Sequence, residues 1–220
     1  MGESLASQPF WGAPAVSEIA SKVVPESAVT DETLIRAVLD GDDRIAAELY
    51  DRLFPRIDRA LCRVFGGRDR DHDDLVQSSF LQVVSSIASR KFNGRCPLSA
   101  WASAIATKVG LMALRSRCRE RRSLRPVQAS DVIEIAGPRY EIERQLEARD
   151  DVRRVQSALV AMSGGRAEVL LLHDVVGHEL TEIAALTGAS VAAVQSRLVR
   201  GRHELMERLG NAGDTEGDPR

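Results

Sequence analysis

Apolar positions recur along this chain with the three-to-four-residue period of amphipathic helices, and no segment shows the strict alternation of a half-buried strand. Asp31 and Glu32, followed by Leu34, Ile35, Val38 and Leu39 and then by Gly41, predict a short helix starting near Thr30. A longer helix follows Asp42 and Asp43, with Ile45, Leu49, Leu53, Ile57, Leu61 and Val64 on one face. Pro55 is expected to kink or split it, and Gly66-Gly67 to close it. A third helix begins at Asp71, has Asp73 and Asp74 in its first turn, and presents Val76, Phe80, Val83, Val84 and Ile87 to a core. The turn from Phe92 to Pro97 leads to a fourth, striped by Leu98, Trp101, Ile105, Val109 and Met112. Four such helices can bury one core, which defines a domain over 30–120.

The helical period is lost over 121–140, where Pro126, Gly137 and Pro138 interrupt the chain, and this stretch reads as a flexible linker. A charged helix follows, carrying Ile142, Leu146, Val152, Val155 and Leu159 and ending before Gly164-Gly165. Next come an apolar helix over 167–176 stopped by Gly177, and two helices over 181–187 and 190–209 separated by Gly188-Ala189. These make a second domain over 141–209. Residues 1–29, with Pro9, Pro14 and Pro25, and the polar stretch 210–220 are expected to be a disordered leader and tail. Phe10 and Trp11 in the leader leave open an internal inhibitory role. The fold class is all-α: two small helical domains joined by a linker.

The pair of helices around Gly188 carries the clearest functional pattern. A helix-turn-helix needs a small residue where its helices cross, which Ala184 supplies, and a turn residue tolerant of positive φ, which Gly188 supplies. Ser190 can cap the second helix, while Ile183, Leu186, Val191, Val194 and Leu198 would seal the pair. An ordinary helical hairpin with a glycine turn would share the periodicity. The simultaneous fit of Ala184, Gly188 and Ser190 favours DNA binding. The remaining face, Ala193, Gln195, Ser196, Arg197, Val199 and Arg200, could then enter a major groove.

Charge sharpens this picture locally rather than globally. The 220 residues are 44% hydrophobic and 28% charged with a formal net charge of -2, which by itself suggests no polyanionic partner. Yet from Arg90 to Arg125 ten basic residues face a single acid, Glu120, as expected of a phosphate-facing surface. Cys62, Cys96 and Cys118 are scattered with no CxxC pair, and the four histidines form no HExxH, so a cytoplasmic protein without a metal or other cofactor is expected. No glycine-rich phosphate loop or GxSxG elbow is present, which argues against an enzyme. No apolar run approaches the roughly 18 residues of a membrane span, and the N-terminus lacks the pattern of a secretory signal.

Two stretches carry a family resemblance. The segment from Ala167 through Glu182-Ile183-Ala184 to Val194-Gln195-Ser196-Arg197-Leu198 resembles the region-four helix-turn-helix of extracytoplasmic-function sigma factors. Asp74-Leu75-Val76-Gln77-Ser78-Ser79-Phe80-Leu81 resembles their region-two helix, and Phe92-Asn93-Gly94 through Trp101 to Ile105-Ala106 is similar to the part of region two that opens the −10 element. The resemblance spans about 31–209 in the family's order. It implies an alternative sigma factor that binds core RNA polymerase through Asp74, Leu75, Gln77, Ser78 and Leu81. It implies −10 contacts from Asn93, Arg95, Trp101, Lys108, Arg115 and Arg119, and −35 contacts from Ser190, Ala193, Gln195, Ser196, Arg197, Val199 and Arg200. Core polymerase, promoter DNA and an anti-sigma factor are the implied partners. Ser78 stands where the family usually has an acidic residue, and Met162-Ser163-Gly164-Gly165 where Leu-Pro is usual. Ser78, together with Ala102, Ser103 and Ala104 beside Trp101 where basic or aromatic residues are frequent, leaves a second expectation: a sigma-like regulator or adaptor that does not open promoters.

Overall fold

A computed structural model describes residues 30–123 and 139–213, and every regular element in them is helical. The expected leader, most of the linker and the end of the tail lie outside the described residues. Helix α1, Asp31–Asp40, starts where the sequence predicts. The Thr30 hydroxyl accepts the Thr33 N–H at 3.3 Å, and the Asp42 N–H closes back on the Ala37 carbonyl across Gly41. Leu34 and Ala37, rather than Leu39, enter the core.

Helix α2, Asp43–Phe65, runs unbroken through Pro55. The expected split does not occur. Pro55 lies on the exposed face, where water can serve the carbonyl its ring displaces, while Leu49, Leu53, Ile57 and Leu61 are almost wholly buried on the opposite face. Each of these contributes about 1.5–3 kcal/mol through burial, which outweighs one missing hydrogen bond.

Helix α3, His72–Ala88, buries His72, Val76, Ser79, Val83 and Ile87 as one regular stripe, with Phe80 and Val84 at its border. Helix α4, Leu98–Ser123, differs from its predicted stripe. Its inner face is Leu98, Ala102, Ser103, Ala106, Thr107, Gly110, Leu111 and Leu114, whereas Trp101, Ile105 and Val109 are half-buried and Met112 is exposed. The reason is close packing on α2. A methyl group on Gly110 would lie 3.1 Å from Val64 Cγ1 and 3.4 Å from Leu61 Cδ2, so small residues occupy the contact line. The start of α4 is capped from a distance: the Asp31 carboxylate accepts the Leu98 N–H at 2.8 Å and pairs with Arg52 at 2.8 Å.

Helix α4 continues to Ser123 and α5, Arg139–Ala161, already holds Arg139 and Tyr140, so both ends of the expected linker 121–140 are helical. Helix α6, Gly164–Leu170, takes in both glycines that were expected to lie outside it. It passes into a wider π-helical turn, Leu171–Val176, in which the Gly177 N–H reaches the Leu172 carbonyl. Helix α7, Leu180–Thr187, and helix α8, Val191–Gly213, complete the chain, α8 extending past the expected end at Leu209.

The two halves pack on each other. The main apolar cluster runs from Leu34 through α2, α3 and α4 into Leu159, Met162, Ala167, Leu170 and Leu171. A smaller cluster joins Val169 and Leu172 to Ile183, Ala184, Val194 and Leu198 of the helix pair.

Candidate nucleic-acid interface

The helix pair α7–α8 has the predicted geometry at its turn. Gly188 sits at φ 67°, a left-handed conformation that the absence of a β-carbon permits. The Ser190 hydroxyl accepts the Ala193 N–H at 3.2 Å and so caps α8. Ile183, Ala184, Val194 and Leu198 seal the pair, but Val191 does not: it is 41% exposed at the mouth of α8. Val191 is the first residue of α8, at the helix end rather than on the buried stripe of Val194 and Leu198.

The outward face of α8 presents Gln195, Arg197, Val199 and Arg200 to solvent, with Ala193 and Ser196 half-buried beside them. Among the described residues no acid pairs with Arg197 or Arg200. Further along the same helix Arg202 pairs with Asp174, and Arg208 with Glu204, which also takes Arg166 at 2.8 Å. The Arg202 hydrogen bond holds the Asp174 carboxyl below the usual carboxylate range, against the opposing pull of burial. Thus the start of α8 keeps its cations open, whereas further along Arg202 fastens the helix to the π-helical turn and Glu204 fastens it to Arg166 of α6.

On α3, Asp74, Gln77, Ser78 and Leu81 are exposed, and Leu81 is a large apolar side chain at 60% exposure. Leu75 differs: it is half-buried and packs against the main cluster, so it is not wholly on the outward face. The loop before α4 is held by Phe92 against Trp101, ring centroids 4.9 Å apart, and by Asn93 Oδ1, which accepts the Arg95 N–H at 3.1 Å. Gly94 at its tip has φ 69°, and Asn93 and Arg95 are exposed. Lys108 and Arg119 are exposed on α4.

Arg115 and Arg117 leave the expected basic track. The Arg115 guanidinium donates to the Met162 carbonyl at 3.1 Å, tying α4 to the end of α5. Arg117 forks onto Asp69 at 2.8 and 3.0 Å and onto Asp71 at 2.8 Å, and lies 4.9 Å over the Phe65 ring. Burial pushes the Asp69 carboxyl up, yet the Arg117 hydrogen bonds and the Asp71 backbone N–H more than offset it and hold it below its ordinary value.

Sequence reasoning missed the polar contacts that join the halves. Gln156 Nε2 donates to the Phe65 carbonyl at 3.1 Å, and Arg63 donates to the Val176 carbonyl. His178 bridges Ser103 Oγ at 2.8 Å and Glu182 at 2.6 Å. Ser103 in turn donates to the Ala100 carbonyl at 2.7 Å, so the bridge runs from α4 through the loop before α7 into that helix. No periodicity could have revealed these, because each is a polar residue on an otherwise ordinary helix or turn.

Described residues that are helical throughout their regular elements, with a capped helix-turn-helix whose second helix exposes Arg197 and Arg200, have the arrangement of a DNA-binding protein. Comparison with known families makes this specific. Residues 49–120 match sigma-70 region 2 and residues 153–205 match sigma-70 region 4. The RNA polymerase sigma factor CnrH of Cupriavidus metallidurans is 32% identical over 188 residues, covering 82% of this chain and 94% of CnrH. The ECF RNA polymerase sigma factor SigC of Mycobacterium tuberculosis is 28% identical over 137 residues, 61% of this chain and 68% of SigC. A solved structure of CnrH in complex with the cytosolic domain of CnrY aligns with a TM-score of 0.48 at 26% identity, covering 82% of this chain and 97% of that one. The chain belongs to the sigma-70 family of RNA polymerase sigma factors, in its extracytoplasmic-function group. Such a protein binds core polymerase and promoter DNA and directs initiation, while the polymerase performs the chemistry. No helix among the described residues is long and apolar enough to cross a membrane.

Proposed function

We propose that this sigma factor divides its work between its halves, with 30–120 holding the polymerase and the −10 element and 141–209 reading the −35 element. The observation that carries the reading is the start of α8, where a Ser190-capped helix exposes Gln195, Arg197 and Arg200 in a row free of internal acids. Gln195 and Arg197 read base edges, Val199 meets a thymine methyl, and Arg200 with Ser190, Ala193 and Ser196 follows the phosphates. Asp74, Gln77, Ser78 and Leu81, with a lesser part for Leu75, contact the polymerase. Asn93 and Arg95 in the loop held by Trp101 receive an unstacked −10 base, which a closed duplex cannot offer. Lys108 and Arg119 steer the separated strand, while Arg115 joins them only when the halves part.

The protein would work in the cytoplasm, where its polymerase is. We also propose an inhibitory protein of the anti-sigma class as a partner, since the related CnrH has been solved in complex with the cytosolic domain of CnrY. Recovery of no inhibitor in pull-downs from unstimulated cells would count against that partner. The residue assignment is tested by run-off transcription from a genomic promoter library with core polymerase. Wild-type protein is expected to give discrete start sites with shared upstream motifs. Leu81→Ala should lower transcript yield through polymerase affinity, leaving thermal stability unchanged. A variant that melts earlier but binds polymerase normally would sink the assignment of that face.

A further inference from the structure

Asp58 and Cys62 stand one turn apart on α2, and His72 opens α3 directly across from them. The ligand atoms of the three, a carboxylate oxygen, the thiol sulfur and an imidazole nitrogen, all lie within 4.8 Å of one another. Asp58 and Cys62 are half-buried, whereas His72 is 3% exposed. Its Nε2 meets Asp58 Oδ1 at 2.8 Å, and its Nδ1 is buried with no partner. Asp58 accounts for one ring nitrogen, whereas the other is a buried polar atom with no partner among the described residues, an uncommon state for an imidazole. Among the described residues, the cation paired at the cluster is the Arg68 guanidinium, 2.8 Å from Asp58 Oδ1. Arg68 is 60% exposed, and an exposed pair of this kind is weak and readily exchanged.

We propose that Asp58, Cys62 and His72 form a binding site for a divalent transition metal, with Zn²⁺ as the fitting ion. One oxygen, one sulfur and one nitrogen donor are the mixed set that a borderline ion takes in tetrahedral geometry, with water in the fourth position on the open side of Asp58. Binding releases the Cys62 thiol proton to solvent, leaves the imidazole proton of His72 on the ring nitrogen that does not meet the ion, and moves Arg68 off the shared oxygen. The metal joins the last two turns of α2 to the first turn of α3, bridging the chain reversal at Gly66-Gly67. The spacing of the three residues matches no familiar metal motif, because His72 comes to the other two only through the packing of α3 on α2.

Full-length protein titrated with Zn²⁺ against a chromophoric chelator should bind one equivalent and melt at a higher temperature when loaded. Co²⁺ in its place should give a thiolate-to-metal charge-transfer band. Cys62→Ala should abolish that band and weaken Zn²⁺ binding roughly 100-fold or more, since even outer-shell changes cost about 10–100-fold. Arg68→Ala should tighten binding by removing the competing cation, and Cys96→Ala and Cys118→Ala should leave it unchanged. Because His72 is buried and its replacement can unfold the domain, the half-buried Cys62 is the deciding variant, with circular dichroism confirming its fold. No binding above the chelator by wild-type protein, or binding that survives Cys62→Ala, overturns the proposal. The latter result would place the ion elsewhere, for instance at His173 and Asp174.

Discussion

On α8, Arg197 and Arg200 stand in solvent and no acid among the described residues pairs with them. On α4, Arg115 and Arg117 turn inward, one to the Met162 carbonyl and the other to Asp69, Asp71 and the face of Phe65. Both helices read alike in sequence, as amphipathic segments running into arginine-rich surface. The difference is in what lies across from them. Asp69 and Asp71 belong to the connection between α2 and α3, which the packing of those helices brings beside the last turns of α4. Net charge over a stretch therefore counts cations without saying which are available to a phosphate. An arginine already paired and stacked must give up those contacts before it can meet DNA.

The largest effect should come from Arg117→Ala. It strips a bidentate partner from Asp69 and Asp71 and should destabilise the fold by about 2 kcal/mol, as removal of one member of a partly buried pair does. Binding of a −35 duplex at a temperature where the variant stays folded should be unaltered; a matching loss of −35 affinity would erase the distinction between the two helices. Next in size is Arg197→Ala or Arg200→Ala on α8. Neither should move the melting temperature appreciably. A base-reading arginine should cost about 1–3 kcal/mol of binding and relax sequence preference at one position, whereas a phosphate-contacting one should lower the salt slope by about 1. Salt titrations on matched and mismatched duplexes separate those cases.

The smallest effect concerns pH. Asp69 and Asp174 have carboxyls held below their ordinary values in the folded protein, so the unfolded chain takes up protons first as pH falls. Their contribution to stability is full above the unfolded carboxylate pKa and is lost progressively as pH drops through the lower folded values. Denaturation curves between neutral pH and the acid range should show this loss, and Asp69→Asn should flatten part of it. If that variant kept the full acid sensitivity, Arg117 would not owe its inward position to Asp69.

Much of the molecule could be read along the chain. The ends of α1, the continuous apolar face of α2 and the capped turn between α7 and α8 follow from local rules: Thr30 and Ser190 accept backbone N–H groups, and Gly41 and Gly188 adopt left-handed angles, wherever the chain places them. The inner face of α4 could not be read in this way. Its large apolar residues looked like the core stripe, yet closeness to α2 demanded Gly110 and the alanines on the contact line, and Met112 was left outside. Pro55 misled for a related reason, since its cost is set by whether the freed carbonyl faces water.

The sequence by itself determined the helices, their order and the presence of a helix-turn-helix, because these depend on interactions spanning four residues or fewer. Only the tertiary structure decided that the halves share one apolar cluster, that Arg115 and Arg117 are spent inside the protein, and that Asp58, Cys62 and His72 meet. Each of those depends on which helix faces which. That choice is made by burying the largest apolar area at the closest approach, a property of the assembled chain that no local window contains.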